Sequence, residues 1–427
     1  MDAVNEARTP VKAEQKSSVH ASSAASPPRL GWLDALRGIA ALCVVFQHVA
    51  PVMLWQPYRL EHPRLDLGML GVFLFFLISG YIVPASLERR GDIRAFWVGR
   101  IFRLYPPFLV VVAVAALLPV ASAAVDSHVY RQWQDGVGGL LMLPDLLGLH
   151  GALRVAWTLT YEMVFYYLVT ALFALRLHRA SGPIAVALTA VGVLAGSSLP
   201  LGFLLAQAGD VRLLAAAAAL VVLAALACCL SGNRTATRIG AGLLGGLALT
   251  LVFLNGRTAG FETMAILATM FSGTAIYRAE QGQISRTQVL LCCGLVFVGS
   301  LVAGAQQGGR YLGLLWTDSA GSWCAGFAVA WALFGLGWLL RRRTFPRSLV
   351  WLGAVSYAVY LLHVPLVSCF RWAFAAGRWQ PDSPYQELLC SAVFLAVLLG
   401  VSHLVHQLVE LPAQKLGRRL TPTRRPD

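Results

Sequence analysis

Residues 33–52, LDALRGIAALCVVFQHVAPV, form an apolar run that nevertheless carries an arginine, Arg37, and a histidine, His48. At roughly 100° per residue, the steps from Arg37 to His48 return a helix to within about 20° of its starting direction. At a rise of about 1.5 Å per residue, the two groups lie about 16 Å apart along one face. This helix face therefore carries two ionisable groups at two different depths.

A carboxylate residue, Glu162, lies in another apolar segment, WTLTYEMVFYYL. Both segments are apolar enough to cross a bilayer, in opposite directions. Counted at about 1.5 Å per residue, Glu162 lies about 12 Å below the outer membrane face and His48 about 10 Å below it. A carboxylate beside an imidazole holds its tautomer and raises its basicity, as a general base requires. We therefore predict that Glu162 orients His48. The alternative is that each is a hydrogen-bonded structural residue.

Two arginines, Arg100 and Arg103, lie in the segment FWVGRIFRLYPP. They are expected at the cytoplasmic level that Arg37 occupies. The usual excess of basic residues on the cytoplasmic side of membrane proteins explains them without any binding site. The alternative is a cluster of three guanidinium groups that binds phosphate, to which arginine forms bidentate hydrogen bonds. A phosphate-bearing donor from the cytoplasm and an acceptor from outside would fit this arrangement.

Polar residues in other apolar segments are secondary candidates: His363 in VSYAVYLLHVPL, Ser79 in FLISGYIV and Glu410 in VELP. His363 is expected in the outer half of its helix, and Glu410 at the cytoplasmic end of the last helix. The alternative roles are structural for His363 and Glu410, whereas Ser79 and Gly80 would permit close helix packing.

The composition is that of a membrane protein. Of 427 residues, 57% are hydrophobic and 13% are charged, and the mean hydropathy is +0.66. These values exclude an ordinary soluble protein. Long apolar runs separated by short polar segments predict membrane-spanning helices rather than the short alternating strands of a barrel. The net charge of +14 comes with no nucleic-acid-binding motif, so we expect no nucleic-acid partner.

The eight cysteines lie in or beside the apolar runs, and none forms a C-x-x-C pair. Cysteine in such a setting behaves as a small hydrophobic residue. We therefore expect no disulfide and no structural metal.

The predicted fold is an all-α, polytopic integral membrane protein with about 10–12 transmembrane helices. The Ala/Leu/Gly-rich region 183–254 has vague breaks, so ten or eleven spans remain alternatives to twelve. The candidate spans lie near residues 33–55, 68–87, 104–124, 155–176, 183–206, 211–230, 238–254, 260–279, 288–304, 320–340, 349–370 and 386–410.

Lys and Arg are concentrated in every even-numbered break between these spans. Because basic loops remain in the cytoplasm, both termini are expected there. Residues 1–29 are rich in Ala, Ser, Pro and mixed charge and are expected to be a disordered cytoplasmic tail. Residues 30–412 would form the membrane domain, and residues 413–427 a basic cytoplasmic tail.

Six segments of the sequence resemble membrane acyltransferase family 3, the bacterial O-acyltransferases that modify cell-surface glycans and some small molecules. The segments occur in the same order as in the family. They cover nearly the whole chain after residue 30, which implies that the domain at 30–412 is an acyltransferase domain. Two departures are mild: WTLTYE has threonine where the family commonly has serine, and Tyr81 replaces phenylalanine. The segments are LDALRGIAALCVVFQH, GVFLFFLISGYIV, FWVGRIFRLYPP, WTLTYEMVFYYL, VSYAVYLLHVPL and VELP.

The resemblance implies roles for the residues named above. Arg37 and His48 match the Arg-x10-His pair that the family needs for activity. Arg100 and Arg103 match its Arg-x-x-Arg motif, and Glu162 matches the glutamate of its fourth-span motif. The usual donor in the family is acetyl-CoA, whose phosphates would suit the three arginines.

The expected activity is O-acetyl transfer at the inner (plasma) membrane, from cytoplasmic acetyl-CoA to a hydroxyl of an exopolysaccharide or its lipid-linked precursor. His48 would remove the hydroxyl proton or carry the acyl group transiently. The expected partners are acyl-CoA, the glycan acceptor and membrane lipids, with no metal. The alternatives are a proton-coupled or lipid-linked-sugar transporter, an acyltransferase for a small molecule such as a macrolide, and a non-catalytic partner of a polysaccharide export complex.

The outer breaks contain aromatic and polar residues that suit sugar rings. Anchoring in the membrane interface explains the tryptophans equally well. The residues are Trp316, Trp372 and Trp379, with Asp318, Arg371 and Arg378.

Overall fold

The computed structural model describes residues 30–53, 65–117, 132–256, 259–307, 319–377 and 379–421. Within these residues the chain is helical, and only Leu201 and Gly256 pair as an isolated bridge. In chain order the α-helices are α1 (Gly31–Met53), α2 (Leu67–Arg90), α3 (Ile93–Leu117), α4 (Trp133–Leu141), α5 (Pro144–Leu147), α6 (Trp157–Ala174), α7 (Ser181–Ala195), α8 (Phe203–Ala208), α9 (Val211–Leu230), α10 (Arg234–Leu254), α11 (Gly260–Glu280), α12 (Arg286–Gln307), α13 (Ala320–Leu339), α14 (Arg347–Ala376), α15 (Pro384–Val405) and α16 (Leu411–Leu420).

Three short turns extend these helices. The 3₁₀ turn Arg154–Ala156 precedes α6, and the 3₁₀ turn His178–Ala180 precedes α7. The π-helical turn His406–Glu410 joins α15 to α16. We call the end of the bundle at which α1 begins and α2 ends the basic end, because Arg89 and Arg90 lie there. The basic loops predict that this end faces the cytoplasm.

The chain is an all-α, multi-pass membrane protein. Eleven helices in the described part of the chain are long and apolar enough to cross a membrane. A further long helix, α11, carries Glu262 and Arg278 and is buried at almost every position. Its neighbours therefore shield those polar groups from lipid. Each of the predicted spans corresponds to one long helix of the structure.

The third span differs from the prediction in position. It was expected at 104–124, but α3 begins at Ile93 and includes Pro106 and Pro107 in its interior. The side chain of Asp92 accepts a hydrogen bond from the Ala95 amide at 3.1 Å, which caps the N-terminus of α3. The two prolines therefore do not mark the start of the helix.

Two other boundaries also differ. The span expected at 183–206 is shorter, because α7 ends at Ala195. The span expected at 386–410 ends as an α-helix at Val405, and the basic tail expected at 413–427 begins inside the helix α16. The predicted tail at 1–29 and the last residues, 422–427, lie outside the described residues.

Close contact between α1 and α14 determines how these two helices are aligned. A Cβ atom at Gly353 would lie 1.8 Å from the backbone oxygen of Asp34, and one at Gly38 would lie 3.0 Å from that of Leu349. Glycine alone allows backbones to approach this closely. Both helices begin at the basic end, so the parallel alignment brings later residues of α1 opposite later residues of α14.

A second close contact joins α2 to α11. A Cβ atom at Gly80 would lie 1.9 Å from the Met270 backbone oxygen, and one at Gly273 would lie 2.4 Å from that of Leu77. The expected packing role of Gly80 is therefore confirmed. The buried helix α11 thereby supports α2, which carries Ser79 on its other side.

Between α3 and α6, a short segment folds into the end of the bundle opposite the basic end. Leu146 and Leu147 of α5 are fully buried. The Asn255 side chain donates a hydrogen bond to the Leu146 carbonyl at 2.6 Å, and the Tyr360 hydroxyl donates one to the Val155 carbonyl at 2.8 Å. Because of these contacts α6 begins inside the bundle rather than at its surface.

Replacing Gly353 with alanine tests the α1–α14 contact. The added methyl group would overlap the Asp34 backbone, so the helices must separate, at a cost of about 1–3 kcal/mol. We expect a lower unfolding temperature for the purified protein in detergent, followed by tryptophan fluorescence. Gly400→Ala is the matched control, since a Cβ atom there meets nothing within 4 Å. Equal unfolding temperatures for the two variants would contradict this contact.

Candidate active site

A cavity of about 90 Å³, lined by both apolar and charged side chains, lies among α1, α2, α3, α6 and α14, and we call it the arginine cavity. The structure brings together in it the three arginines that the sequence placed at one level. Charged and hydroxyl-bearing side chains from all five helices line it. They are Arg37, Arg100, Arg103 and Glu162, with Ser79, Thr158, Ser356, Tyr357 and Tyr360.

Two of the arginines are held by protein groups. The Arg37 guanidinium donates a hydrogen bond to the Asp34 carboxylate, one turn earlier on α1, at 2.8 Å. The Arg100 guanidinium donates to the Ser86 hydroxyl at 2.8 Å. It also lies 5.0 Å from the centre of the Tyr166 ring, a cation–π contact. These two arginines are therefore positioned before any ligand arrives.

The third arginine, Arg103, is different. Within the described residues its guanidinium group makes no hydrogen bond, although Glu162 and Glu410 lie close enough to interact with it electrostatically. A guanidinium group has five N–H donors that require acceptors when water is excluded. Arg103 is therefore the arginine of the cavity that is most available to an anionic ligand.

Glu162 lies in the arginine cavity and not beside His48. Its carboxylate accepts a hydrogen bond from the Tyr166 hydroxyl, one turn later on α6. The prediction that Glu162 orients His48 is wrong in this structure. The depth count assumed that α6 starts at the membrane surface, but α6 starts inside the bundle. Glu162 therefore lies in the cavity that Arg37 lines, closer to the basic end than His48 is.

The partner of His48 is a second histidine, His363. The two rings lie edge to face, with 5.0 Å between their centres. His48 is exposed, whereas His363 is fully buried. The glycine contacts at the other end of α1 and α14 set the alignment that makes this pair. His363 was a secondary candidate in the sequence, and the structure places it next to the primary one.

Backbone hydrogen bonds indicate the tautomer of both histidines. Nδ1 of His48 lies 2.9 Å from the Val44 carbonyl oxygen, and Nδ1 of His363 lies 2.7 Å from that of Tyr360. A carbonyl only accepts, so each Nδ1 carries the proton and donates. Each Nε2 is then an acceptor with a lone pair. Nε2 of His363 is buried and has no hydrogen-bond partner in the described structure.

Tyr360 connects the arginine cavity to the histidine pair. Its hydroxyl lies 2.9 Å from the Thr158 hydroxyl in the cavity, and its ring lies 5.7 Å from that of His363. Tyr360, Thr158 and Tyr166 are residues of the site that the sequence did not predict. A signal was available, because Ser356, Tyr360 and His363 recur at the spacing of one helix face.

The remaining candidates have other positions. Ser79 lines the arginine cavity as expected. Glu410 is buried and accepts hydrogen bonds from His406 at 2.8 Å and from Gln414 at 3.0 Å, which joins α15 to α16. Arg371, Trp372 and Trp379 are exposed, whereas Trp316, Asp318 and Arg378 lie outside the described residues. All eight cysteines are free thiols.

Residues 30–405 match the family model of the acyltransferase domain that defines membrane acyltransferase family 3. The chain belongs to this family. The match covers almost all of the predicted domain at 30–412. The arginine cavity and the histidine pair lie within the matched region.

Two curated relatives resemble parts of this chain. Acyltransferase MdmB of Streptomyces mycarofaciens is 29% identical over 150 residues, which are 33% of this chain and 39% of the relative. Nodulation protein 10 of Rhizobium leguminosarum bv. viciae is 28% identical over 183 residues, which are 37% of this chain and 48% of the relative. Both matches span less than half of the relative's length. No solved structure matches the chain significantly.

Replacing Arg100 with glutamine is expected to destabilise the protein more than replacing Arg103 with glutamine. Arg100→Gln removes the hydrogen bond to Ser86 and the contact with the Tyr166 ring, at a cost of about 1–3 kcal/mol. Arg103→Gln breaks no hydrogen bond within the described structure and should change the unfolding temperature less. Thermal unfolding of the two purified variants in detergent measures both effects. A larger loss for Arg103→Gln would show that Arg103 is a structural residue.

Proposed function

We propose that this protein is a membrane acyltransferase that transfers an acetyl group from acetyl-CoA to a hydroxyl of a cell-surface polysaccharide or of its lipid-linked precursor. It would act in the inner (plasma) membrane, with the basic end and both termini in the cytoplasm. The proposal rests on the spatial order of the polar side chains. Arg103 and the arginine cavity come first, Tyr360 follows, and the histidine pair lies beyond it. Family membership supports acyl transfer over transport.

The donor would enter from the basic end. Its phosphate groups would bind arginine, which forms charge-assisted and bidentate hydrogen bonds with phosphate. From there the thioester must reach His48, about 16 Å further along α1. The cavity extends in that direction, since Val72, Phe75 and Tyr360 line its far part. A long donor with phosphates at one end and a thioester at the other fits this separation.

His48 is the proposed general base. Its Nε2 lone pair would take the proton of the acceptor hydroxyl while the hydroxyl oxygen attacks the carbonyl carbon of the thioester. A carbon–oxygen bond forms, the carbon–sulfur bond breaks, and the leaving sulfur recovers the proton from His48. The hydrogen bond from Nδ1 to the Val44 carbonyl holds the ring in the tautomer that this step requires.

Glu162 has a proposed role different from the one that the sequence indicated. Within the arginine cavity its carboxylate offsets part of the positive charge of Arg37, Arg100 and Arg103. It also accepts the hydrogen bond of Tyr166, whose ring supports Arg100. Glu162 is thus proposed as a positioning residue for the donor site rather than as the partner of the base.

The acceptor would approach His48 from the end opposite the basic end. His48 is exposed there, and Arg154 lies close enough to interact with it electrostatically. The exposed side chains of Trp372 and Trp379 supply aromatic surface at the same end of the bundle. The choice of a glycan as the acceptor rests on the usual acceptors of the family.

Replacing His48 with alanine tests the function. A strain that lacks the gene is complemented with wild type or with the variant, expressed to equal membrane levels. The O-acetyl signal of the surface polysaccharide is then measured by proton NMR. We expect wild type to restore the signal and His48→Ala to fail, because a general base contributes about 10²–10⁴-fold to rate. His403→Ala is the control, since the His403 ring packs on Trp351 outside the cavity.

Two outcomes would contradict the proposal. If His48→Ala restores acetylation, His48 is a structural residue and the general-base mechanism is wrong. If deletion of the gene leaves acetylation unchanged, the acceptor is not this polysaccharide, and acetyl-CoA consumption by the purified protein then separates an enzyme from a transporter.

His363→Asn tests the second histidine as a positioning residue. Asparagine can keep the hydrogen bond to the Tyr360 carbonyl, but it lacks Nε2 and the ring that contacts His48. We expect kcat to fall by roughly 10–100-fold with little change in the KM for acetyl-CoA, because the base is misplaced while the donor site is intact. A variant with wild-type kcat would show that the His48 ring needs no support from His363.

A further inference from the structure

A second pocket, of about 140 Å³, opens at the basic end between α2, α3 and α16. Three arginines from these three helices line it: Arg90, Arg103 and Arg418. No carboxylate is among its lining residues in the described structure, and none of the three guanidinium groups makes a hydrogen bond there. We call it the outer arginine pocket. It concentrates positive charge, which Glu410 and Glu162 offset in part through their electrostatic interaction with Arg103.

Specific contacts hold α16 against this pocket. A Cβ atom at Gly417 would lie 2.8 Å from the Cβ atom of Phe102, so α16 can approach α3 only with glycine at that position. Glu410 accepts hydrogen bonds from His406 and Gln414 and thereby fixes the start of α16. These contacts place Arg418 over the pocket, and α16 is therefore more than an exposed basic tail.

Arg103 lines both the outer arginine pocket and the arginine cavity. A ligand that binds Arg90 and Arg418 therefore lies beside the guanidinium group at the mouth of the inner cavity. From that position a flexible arm can continue past Arg103 towards Tyr360. The pocket is thus placed for the charged end of the same molecule whose reactive end is in the cavity.

We propose that the outer arginine pocket binds the phosphate groups at the nucleotide end of the acyl-CoA donor, with Arg90 and Arg418 as phosphate ligands. This inference rests on the proposed function and extends it to a second binding site. The arginine cavity then receives the pantetheine arm, and Arg103 contacts the donor where the two sites meet. Arginine suits this role because its fork of donors matches phosphate oxygens.

Phosphate is also the chemistry of phospholipid headgroups, which are abundant at this end of the protein. The connection through Arg103 favours the nucleotide, because a lipid headgroup has no reactive arm that would enter the cavity. The experiment therefore separates the two sources of phosphate. It uses the full-length protein in lipid nanodiscs that contain phosphatidylcholine alone or with phosphatidylglycerol.

The experiment compares wild type with Arg418→Gln, using Arg419→Gln as the matched control. Both arginines are exposed on α16, but only Arg418 lines the pocket. The donors are acetyl-CoA, acetyl-dephospho-CoA and acetylpantetheine, which have successively fewer phosphates. We expect Arg418→Gln to raise the KM for acetyl-CoA roughly tenfold, the effect of losing one charge-assisted contact. Wild type and Arg418→Gln should become alike with acetylpantetheine, and Arg419→Gln should resemble wild type with every donor.

Three outcomes would overturn the inference. An unchanged KM for acetyl-CoA in Arg418→Gln, with an active wild type, removes the pocket from the donor site but leaves the proposed function intact. An effect of Arg418→Gln that appears only in discs with phosphatidylglycerol identifies a lipid site instead. A wild-type protein that uses none of the donors rejects the proposed function itself, and the inference fails with it.

Discussion

The close parallel contact of α1 with α14 is the constraint on which the site depends. Gly353 and Gly38 remove the side chains that would hold the two backbones apart. Once the helices are aligned at their basic ends, the positions of all later residues on the contacting faces follow from the rise per residue. The pairing of His48 with His363 is therefore set by packing far from the histidines themselves, in a bundle whose backbone groups are already satisfied within each helix.

The same bundle tolerates a concentration of charge that a membrane normally excludes. A charged side chain near the bilayer centre costs at least about 2.5 kcal/mol, and the arginine cavity contains three arginines. Asp34 and Ser86 take hydrogen bonds from Arg37 and Arg100, whereas Arg103 makes none within the described structure. Within the described residues Arg103 interacts electrostatically with Glu162 and Glu410 instead, so its hydrogen-bond donors are available to a ligand.

Much of the architecture was predictable because the bilayer imposes it. The lengths of the apolar segments predicted all of the long helices. They also predicted α11, because its apolar segment is long enough to span a membrane although it contains Glu262. Boundaries were less predictable where the local signal was ambiguous. The third span was expected to begin at residue 104, yet the cap at Asp92 and the buried residues that follow it begin α3 at Ile93.

For the site, the sequence by itself determined which residue types are available: arginines near one end of the bundle, histidines further along, and an order of segments that identifies the family. Only the tertiary structure decided which of them meet. Glu162 joins the arginines because the segment before α6 is folded into the bundle and moves that helix inwards. His48 meets His363 because two glycines bring their helices together. The depth of a residue along its span does not tell which residue of another helix lies beside it, so neither the neighbours of Glu162 nor that of His48 could be derived from the sequence.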